Sequence, residues 1–386
     1  MVMGYLKCCW ASTLAFGACL LHSFGCSPSS NGGTHSSTGG SGGGGTVAVV
    51  SHPVAAGNNH SCALSGGHIR CWGDNYYGQL GDGTTNPSLT PVSVTGIRDA
   101  VAVYADSGNH TCAILSDGTI QCWGDNSDGQ LCDGSQTASS VPVTVSGTQK
   151  AIAGGAAILH SCAVFTDGTI QCCGHNDSGE LGNGTQTESD SAVQVTGVTN
   201  AEAVAAGLVH TCAVLTGGRV QCWGDNTNGE VSGASVTSAT AITAGSNYSC
   251  ALLTGGAVQC WGSNASGTLG NGNTNDSSVP VAVFAISNAK AISAGSTHSC
   301  AVLADGSVKC WGANARGALG DGTTTDSSVP VAVSNMTNAV AVAADTGHTC
   351  AMLADGKVQC WGSNLSGELG DGTTNDSSVP VTVAGF

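Results

Sequence analysis

Large apolar and charged side chains are scarce in this sequence. Aromatic residues make up 4% and charged residues 9% of the 386 residues, whereas 59 residues are glycine. A chain with so few large apolar side chains buries little apolar surface per residue. We therefore expect its stability to come from close packing of sheets and from covalent crosslinks.

Basic residues are especially few. Nine Lys and Arg stand against 25 Asp and Glu, which gives a net charge of −16. Binding to a nucleic-acid backbone depends on Lys and Arg side chains that neutralise phosphates, and the sequence contains no basic patch or arm. We therefore expect no nucleic-acid partner.

Sequence motifs of catalysis and metal binding are also missing. The sequence contains no nucleophile elbow, no Walker loop and no metalloprotease helix. It also has no second CxxC and no histidine pair at zinc-ligand spacing. We therefore predict that the chain is not an enzyme and that it has no catalytic residue, no cofactor and no metal ligand.

The longest apolar run near the start of the chain is too short to span a bilayer. It covers residues 8–21 after Lys7 and is typical of the core of a signal peptide. Gly25-Cys26 then resembles the end of a bacterial lipoprotein signal, in which the cysteine carries lipid. Ser23 and Phe24 depart from the residues usual before Gly-Cys, and ordinary cleavage with secretion is the alternative.

These features predict three segments. Residues 1–26 form a signal peptide with lipid attachment at Cys26, residues 27–46 form a Gly/Ser-rich flexible linker, and residues 47–386 form the folded domain. We expect an exported chain, either an outer-membrane or cell-surface lipoprotein or a secreted protein. Its contact with a membrane would then be limited to the lipid at Cys26.

The folded domain is a repeat array. A stretch like that of residues 348–370 occurs seven times, and its second cysteine recurs at a spacing of 50 or 51 residues, with one spacing of 38. A fixed period in this range indicates one supersecondary unit used repeatedly. The positions of that cysteine are Cys71, Cys122, Cys172, Cys222, Cys260, Cys310 and Cys360.

Each repeat contains a β-hairpin whose register follows from its turn. In the last repeat, residues 353–357 suit a type I turn followed by Gly356 in the left-handed region, which pairs Cys350 with Cys360. In the first repeat the cysteines are one residue closer, and the two-residue turn Gly66-Gly67 restores the pairing of Cys62 with Cys71. Non-hydrogen-bonded pairs place Cα atoms about 4.5 Å apart, which suits a disulfide.

We therefore predict seven disulfides, one in each hairpin. Twenty cysteines with seven regular pairs indicate an oxidising compartment. Free buried thiols are the alternative. The predicted pairs are Cys62–Cys71, Cys112–Cys122, Cys162–Cys172, Cys212–Cys222, Cys250–Cys260, Cys300–Cys310 and Cys350–Cys360.

Each repeat reads as three or four short strands of one antiparallel blade. An apolar segment such as residues 339–344 precedes the hairpin, and a Gly/Asn/Asp-rich loop and a Val-Pro-Val segment follow it. Seven such blades predict an all-β fold, a seven-bladed β-propeller. A parallel β-helix is the competing repeat fold, but directly opposed cysteines across a tight turn require antiparallel strands.

Several motifs recur in these repeats. Trp-Gly-x-Asn-x-x-Gly-x-Leu-Gly-x-Gly, Val-Pro-Val, Ala-Gly-x-x-His-[Ser/Thr] and Asp-Gly together resemble the regulator of chromosome condensation repeat family, over residues 47–386. The resemblance implies a seven-bladed propeller. We expect the ring to close by pairing of the N- and C-terminal strands, with Val47–Val50 near Val379–Val383.

Two departures from the repeat stand out. About a dozen residues are missing between Trp223 and Cys250, so we expect that blade to lack an outer strand. Cys173 replaces the repeat tryptophan in the third copy, and Cys132 replaces a glycine in the second. A bond between Cys132 and Cys173 is one interpretation, and two independent substitutions are the other.

Histidines and tryptophans recur at fixed repeat positions. We expect the histidines to pack within blades and to bond a neighbouring loop, with a metal or pH-sensing ring as the alternative. We expect the tryptophans to pack between blades, with ligand recognition as the alternative. The histidine position holds His60, His110, His160, His210, His298 and His348, with Tyr248 in the remaining copy; the tryptophans are Trp72, Trp123, Trp223, Trp261, Trp311 and Trp361.

Acidic loops such as residues 125–129 and 371–376 suggest either calcium binding or ordinary Asx and glycine turns. For the whole chain, the sequence favours a monomeric, non-catalytic scaffold that binds an unknown protein or glycan at the cell surface. The family resemblance implies, as an alternative, an exchange factor for a small GTPase. A secreted propeller hydrolase is a third hypothesis.

Overall fold

A computed structural model describes residues 52–147 and 149–386. The predictions for the signal peptide, Cys26 and the linker lie outside these residues. The described residues form seven antiparallel sheets, and each sheet is one continuous stretch of chain. This confirms the predicted all-β seven-bladed propeller.

The strands of each blade lie side by side in sequence order. Blade 1 contains β1 (Val54–Gly57), β2 (His60–Ser65), β3 (His68–Gly73) and β4 (Ser88–Ser93). Blade 2 contains β5 (Ala100–Tyr104), β6 (His110–Leu115), β7 (Ile120–Gly124) and β8 (Ser139–Thr144). Blade 3 contains β9 (Ala151–Ala156), β10 (His160–Phe165), β11 (Ile170–Gly174) and β12 (Ser189–Gln194). Blade 4 contains β13 (Ala201–Ala206), β14 (His210–Leu215) and β15 (Arg219–Gly224).

The remaining blades repeat the four-stranded pattern. Blade 5 contains β16 (Ala239–Ala244), β17 (Tyr248–Leu253), β18 (Val258–Gly262) and β19 (Ser277–Ala282). Blade 6 contains β20 (Ala289–Ala294), β21 (His298–Leu303), β22 (Val308–Gly312) and β23 (Ser327–Ala332). Blade 7 contains β24 (Ala339–Ala344), β25 (His348–Leu353), β26 (Val358–Gly362) and β27 (Ser377–Thr382).

The hairpin register is the predicted one. Cys350 lies opposite Cys360, and Met352 lies opposite Val358. Gly356 has φ +85°, and the Leu353 N–H donates to the Lys357 carbonyl at 2.9 Å. In blade 1, where the turn is shorter, Cys62 still lies opposite Cys71.

The central hairpin of every blade carries a disulfide. All seven predicted cysteine pairs are bonded, with Cα atoms 4.0–4.1 Å apart. An eighth bond joins Cys132 of blade 2 to Cys173 of blade 3, with Cα atoms 5.5 Å apart. The structure thus contains one disulfide within every blade and one further disulfide between two blades.

Blade 4 lacks an outer strand, as its shortened sequence predicts. A short 3-10 helix, Gly233–Ser235, takes the place of the second half of the long loop and of the outer strand of the other blades. As a consequence Cys222 and Trp223 are only partly buried, whereas Trp72, Trp123, Trp261, Trp311 and Trp361 are fully buried. In the described part of the chain, no helix is long and apolar enough to cross a membrane.

The innermost strands form a closed ring, in which β24 contacts β1. At this closure Val54 and Trp72 of blade 1 belong to the same buried cluster as Met352 and Leu369 of blade 7. Strand β27 pairs with β26 of its own blade. Residues 47–50 lie outside the described residues, so closure by pairing of the two terminal strands stays a prediction.

Antiparallel order gives the propeller two different faces. The turns between first and second strands and the loops between third and fourth strands lie on one face, which we call the long-loop face. The disulfide hairpin turns and the connections between blades lie on the opposite hairpin face. Blade packing thus places all the Asn/Asp-rich loops together.

We predict that each hairpin disulfide stabilises the fold to a similar extent. Removal of one bond by the double substitution Cys300→Ala/Cys310→Ala should lower the free energy of unfolding by about 2–3 kcal/mol, because closing a loop of about ten residues constrains the unfolded chain. Chemical denaturation of oxidised protein measures this. The same double substitution at Cys250 and Cys260 should lower the free energy of unfolding by a similar amount. A change near zero in both variants would contradict the prediction.

Candidate functional site

Every pair of neighbouring blades is joined by a hydrogen bond at the repeat histidine position, which holds a tyrosine in blade 5. His60 Nε2 lies 2.8 Å from Thr111 Oγ1 of blade 2, and His348 Nε2 lies 2.8 Å from Ser61 Oγ across the ring closure. The partner is the Ser or Thr that follows the same repeat position in the next blade. The remaining contacts are His110–Ser161, His160–Thr211, His210–Ser249, Tyr248–Ser299 and His298–Thr349.

At most interfaces, one backbone carbonyl accepts hydrogen bonds from two side chains of the next blade. The Gln79 carbonyl of blade 1 accepts the Thr111 hydroxyl at 3.1 Å and the Trp123 indole N–H at 2.9 Å. Both donors belong to blade 2. The same pair of bonds ends on the carbonyls of Glu180, Glu230, Ala318 and Glu368.

The direction of these hydrogen bonds shows which ring nitrogen of the histidine carries the proton. At five interfaces the hydroxyl donates its hydrogen to a carbonyl, so it accepts from the imidazole Nε2–H. The Nδ1 atoms of His60, His110, His160, His210 and His298 are buried and have no hydrogen-bond partner among the described residues. His60, His160, His210 and His298 therefore act as neutral donors between blades, which agrees with the structural role that the sequence predicts.

Burial keeps these histidines neutral. Loss of solvent lowers the pKa of His60, His160 and His298 to about 3 and that of His110 and His210 to about 4. Neighbouring histidines add a smaller effect in the same direction for His60, His160 and His298. A proton on the unpartnered Nδ1 would place a buried charge without a counterion.

The tryptophans require a glycine on the preceding blade. A Cβ on Gly320 would lie 2.7 Å from Trp361 Nε1, and one on Gly370 would lie 2.7 Å from Trp72 Nε1. At the blade 2–3 interface this glycine is Cys132 and the tryptophan is Cys173. The two substitutions therefore occur at facing positions, and the bonded pair replaces a glycine–indole contact.

This interface keeps the backbone of the glycine it replaces. Cys132 has φ +54°, close to the +66° of Gly320. An apolar cavity of about 30 Å³ lies beside the bond, with Tyr104 and Phe165 among its lining residues. The disulfide thus fills only part of the space that an indole occupies elsewhere.

Polar side chains meet at the propeller axis on the long-loop face. Ser296 Oγ lies 3.4 Å from Ser107 Oγ and 3.1 Å from Thr346 Oγ1. Asp345 is fully buried beside them, with Oδ2 3.6 Å from His348 Nδ1. Asp106 retains some solvent-exposed area but is surrounded by protein, and burial first and the charge of Asp345 second raise its pKa to about 7.

The acidic loops are built by Asn and Asp side chains. In blade 7, Asn364 Nδ2 donates to the carbonyls of Thr373 and Asn375, and the Leu369 N–H donates to Asn364 Oδ1. Asp371 Oδ1 accepts the Thr373 N–H at 2.9 Å. These are the Asx contacts that the sequence suggests as the alternative to calcium binding.

Exposed large side chains are unevenly distributed on the long-loop face. Tyr76, Tyr77 and Leu365 are 75%, 36% and 61% exposed, and the Arg316 side chain is 46% exposed. They lie at two adjacent loop positions of blades 1, 7 and 6, which are consecutive in the ring. The same positions hold Ser127 and Asp128, Asp177 and Ser178, Thr227 and Asn228, and Ala265 and Ser266 in the other blades.

Two of these side chains, Arg316 and Leu365, line a groove. It has a volume of about 320 Å³, and its lining includes Asn58, Thr297, Arg316, Thr346 and Leu365. The groove therefore spans blades 6, 7 and 1 on the long-loop face. We call these four exposed side chains and this groove the 6-7-1 patch. Sequence analysis missed it, because ring closure makes blade 1 the neighbour of blade 7.

Comparisons with known proteins agree with the repeat. Two family models, both described as the regulator of chromosome condensation (RCC1) repeat, match the chain. One matches residues 49–79, 101–130, 202–230, 239–268, 289–318 and 340–368, and the other matches residues 67–115, 255–302 and 305–352. Together they cover more than half of the chain.

Relatives of known identity share shorter stretches. The chain is 42% identical over 91 residues to the RCC2 homolog of Danio rerio, which covers 23% of this chain and 18% of that protein. It is 36% identical over 99 residues to the ultraviolet-B receptor UVR8 of Arabidopsis thaliana, which covers 25% and 22%. The chain thus spans less than a quarter of the length of either relative.

Solved structures show the same fold at low identity. Prp20p from Saccharomyces cerevisiae superimposes with a TM-score of 0.75 at 20% identity, over 88% of each chain. The ectodomain of the receptor kinase CR4 from Physcomitrella patens gives a TM-score of 0.53 at 21% identity, over 81% of this chain and 73% of that one. These likenesses concern the fold alone.

The buried histidines predict a loss of stability in mild acid. Unfolded histidines take up protons below about pH 6.5, whereas the folded ones stay neutral until about pH 3–4. The unfolded state then binds more protons, so the free energy of unfolding falls as the pH falls from about 6.5 to about 4, by up to about 1.4 kcal/mol per histidine per pH unit.

The variant His60→Tyr tests this, because blade 5 carries Tyr248 at the same position. Denaturant unfolding at pH 7 and pH 5 should show a shallower pH dependence by about one proton than the native chain. His68→Tyr, at an exposed residue, is the control. An unchanged slope in His60→Tyr would disprove the role assigned to burial.

The blade 2–3 interface predicts that a glycine and an indole must occur together. Cys132→Gly/Cys173→Trp should be more stable than Cys132→Ala/Cys173→Trp by about 2 kcal/mol or more, because the alanine Cβ overpacks the indole. A second pair of variants, Cys132→Gly/Cys173→Ala and Cys132→Ala/Cys173→Ala, has no indole. The difference in stability between these two variants measures the cost of positive φ alone and should be smaller. Urea denaturation decides this, and equal differences in the two pairs would refute the steric argument.

Proposed function

We propose that this chain, which belongs to the regulator of chromosome condensation (RCC1) repeat family, is a non-catalytic interaction scaffold. Its ligand is a protein or glycan that binds the long-loop face. The proposal depends above all on the 6-7-1 patch. Four large side chains are exposed there, at positions where the other blades have small polar residues.

The chemistry of the patch suits macromolecular recognition. Tyr and Arg are enriched among the residues that dominate binding energy at protein interfaces. Tyr76 and Tyr77 pack edge to face, with ring centroids 4.9 Å apart, so they present a partly ordered aromatic surface. Arg316 is held by Asp376 of blade 7 at 2.9 Å. Ordered side chains lose less conformational entropy when they bind a ligand.

The loops that carry the patch have rigid supports. The blade 7 loop is tied by Asn364, and its Gly367 lies so close to Leu89 of blade 1 that a Cβ there would approach Leu89 Cδ2 to 2.5 Å. The long loop of blade 7 therefore packs directly on strand β4 of blade 1. A binding surface on such loops is largely formed before the ligand arrives.

The residues that titrate abnormally support the absence of catalysis. The repeat histidines bond neighbouring blades and are fully buried. Asp106 accepts a backbone hydrogen bond from Ala156, and Asp345 lies beside the hydroxyls of Ser107 and Thr346. Each of these groups has a structural partner, which supports a scaffold more than an enzyme.

We further propose that the chain is exported. Eight disulfides are typical of proteins that fold in an oxidising environment. The predicted signal peptide, the Gly/Ser-rich linker and the lipid at Cys26 would hold a monomeric propeller away from a cell surface. The receptor-kinase ectodomain with the same fold supports this use of the fold outside the cell.

Substitutions in the 6-7-1 patch test the proposed function. Tyr76→Ala and Leu365→Ala should each weaken ligand binding about 30-fold, since central aromatic and apolar anchors contribute about 2 kcal/mol or more. Full-length oxidised protein would be crosslinked to surface extracts of the source cells and applied to a glycan array. Phe284→Ala, at a side chain that is 61% exposed on the hairpin face, is the matched control.

The expected result is a ligand captured by the native chain and by Phe284→Ala but lost by both patch variants. A ligand captured equally by all four proteins would place binding elsewhere. Hydrolysis of a glycan or peptide by the purified chain would overturn the non-catalytic role.

A further inference from the structure

We propose that the long loop of blade 3 binds a Zn²⁺ ion through His175, Asp177 and Glu188. Each side chain offers one ligand atom, and these atoms lie within 4.8 Å of one another. His175 and Asp177 are in contact, with Nε2 3.4 Å from Oδ2. Among the described residues, no other group of three or more His, Cys, Asp or Glu side chains places its ligand atoms this close together. Sequence motifs predict no metal ligand, because this set matches none of them.

A buried carboxylate orients the histidine as a ligand. Glu180 is fully buried. Its Oε1 accepts a hydrogen bond from His175 Nδ1, and its Oε2 accepts the Ser178 N–H at 3.0 Å. Because a carboxylate only accepts, Nδ1 carries the proton and Nε2 presents its lone pair toward Asp177. A carboxylate behind a ligating imidazole is the usual outer-shell arrangement of zinc sites.

The loop backbone holds the other two ligands in place. Asn176, between His175 and Asp177, is fully buried. Its Nδ2 donates to the Thr187 carbonyl at 2.9 Å, next to Glu188, and to the Thr185 carbonyl at 3.1 Å. The two limbs of the loop are therefore clamped together, with one ligand beside each end of the clamp. Only side-chain rotation is needed to bring the exposed carboxylates onto an ion.

The charge around the histidine favours a cation. The Glu180 carboxylate accepts a hydrogen bond from Nδ1 of His175, the Asp177 carboxylate lies 3.4 Å from Nε2, and the Glu188 carboxylate offers a ligand atom within 4.8 Å of the others. Several carboxylates thus surround one imidazole. A divalent ion would neutralise them more fully than a single proton on that ring.

The other blades show that this set does not come from the repeat. The position of His175 holds Asp74, Asp125, Asp225, Ser263, Ala313 and Ser363, and the position of Asp177 holds no second acid. Where blades 5, 6 and 7 have an Asp at the position of Glu188, it accepts a backbone N–H of its own loop at 2.7–2.9 Å. The combination of three ligands is specific to blade 3, so loop architecture does not explain it.

The donor set selects the metal. Imidazole nitrogen with carboxylate oxygen suits zinc, whereas calcium prefers six to eight oxygen ligands. Three protein ligands leave coordination positions open toward solvent, because Asp177 is 75% exposed. Water or a donor atom of a bound molecule would fill them. The site is on blade 3 and shares no residue with the 6-7-1 patch, so it stands independently of the proposed function.

Isothermal titration calorimetry, in which ZnCl₂ is added to the full-length oxidised chain, tests the site. The protein should carry no histidine tag. His175→Ser recreates the Ser363–Glu368 pair of blade 7, and Glu188→Ala recreates Ala138 of blade 2, so both variants should fold. We expect one Zn²⁺ in the native chain that depends on these residues, with affinity reduced at least tenfold in each variant.

Two further variants separate the roles. Glu180→Gln matches Gln79 and Gln130 of blades 1 and 2, and it should lower zinc affinity about 10- to 100-fold while the stoichiometry stays at one, as expected for a residue that orients a ligand. His68→Ser, at an exposed histidine, should have no effect. The absorption spectrum of the Co²⁺ form should show nitrogen and oxygen ligation without a thiolate charge-transfer band.

Native affinity in His175→Ser, or a thiolate band in the Co²⁺ spectrum, would overturn the site. Ca²⁺ binding tighter than Zn²⁺ binding at these residues would overturn the choice of metal.

Discussion

One backbone carbonyl per interface organises the contact between blades. At five interfaces it accepts both an indole N–H and a hydroxyl from the next blade, and the histidine of its own blade donates to that hydroxyl. Except for the half-buried Trp223, these side chains are buried, and an unpaired buried polar group costs about 1–3 kcal/mol. Leaving any one of these groups without its hydrogen bond would therefore destabilise the interface. Indole, hydroxyl, imidazole and the facing glycine form one unit.

The two irregular interfaces show how strict this unit is. At the blade 2–3 interface the indole is absent and so is the facing glycine, and Cys132 and Cys173 form a bond in their place. In blade 5 the histidine is Tyr248, whose hydroxyl reaches Ser299 at 2.8 Å and the His298 carbonyl at 2.7 Å. Each exception preserves a covalent or hydrogen-bonded link across the interface, so the ring stays closed.

A rigid ring leaves the loops free to differ. The disulfide hairpins and the histidine contacts repeat nearly unchanged around the propeller, whereas the exposed loop positions carry tyrosines in blade 1, a histidine–carboxylate group in blade 3 and a leucine in blade 7. Both proposed binding sites lie on the long-loop face. Variation is tolerated there because in every blade except blade 4 a buried Asn, such as Asn176 or Asn364, supports the loop backbone independently of its exposed neighbours.

The sequence by itself determined the features that depend on neighbours within one repeat. Turn chemistry set the pairing of Cys62 with Cys71 and of Cys350 with Cys360, because a hairpin register is local. Repeat counting likewise set the number of blades and the missing outer strand of blade 4. It could not decide between a bond and two unrelated changes at Cys132 and Cys173, since the contact depends on how blades face each other.

Only the tertiary structure decided which distant residues meet. His348 bonds Ser61, 287 residues away, and the 6-7-1 patch exists because the ring brings the end of the chain back to its beginning. The pattern of histidines indicated a structural role but not its partners. The group of His175, Asp177 and Glu188 likewise joins two limbs of a folded loop, and no spacing rule predicts the distance between such limbs.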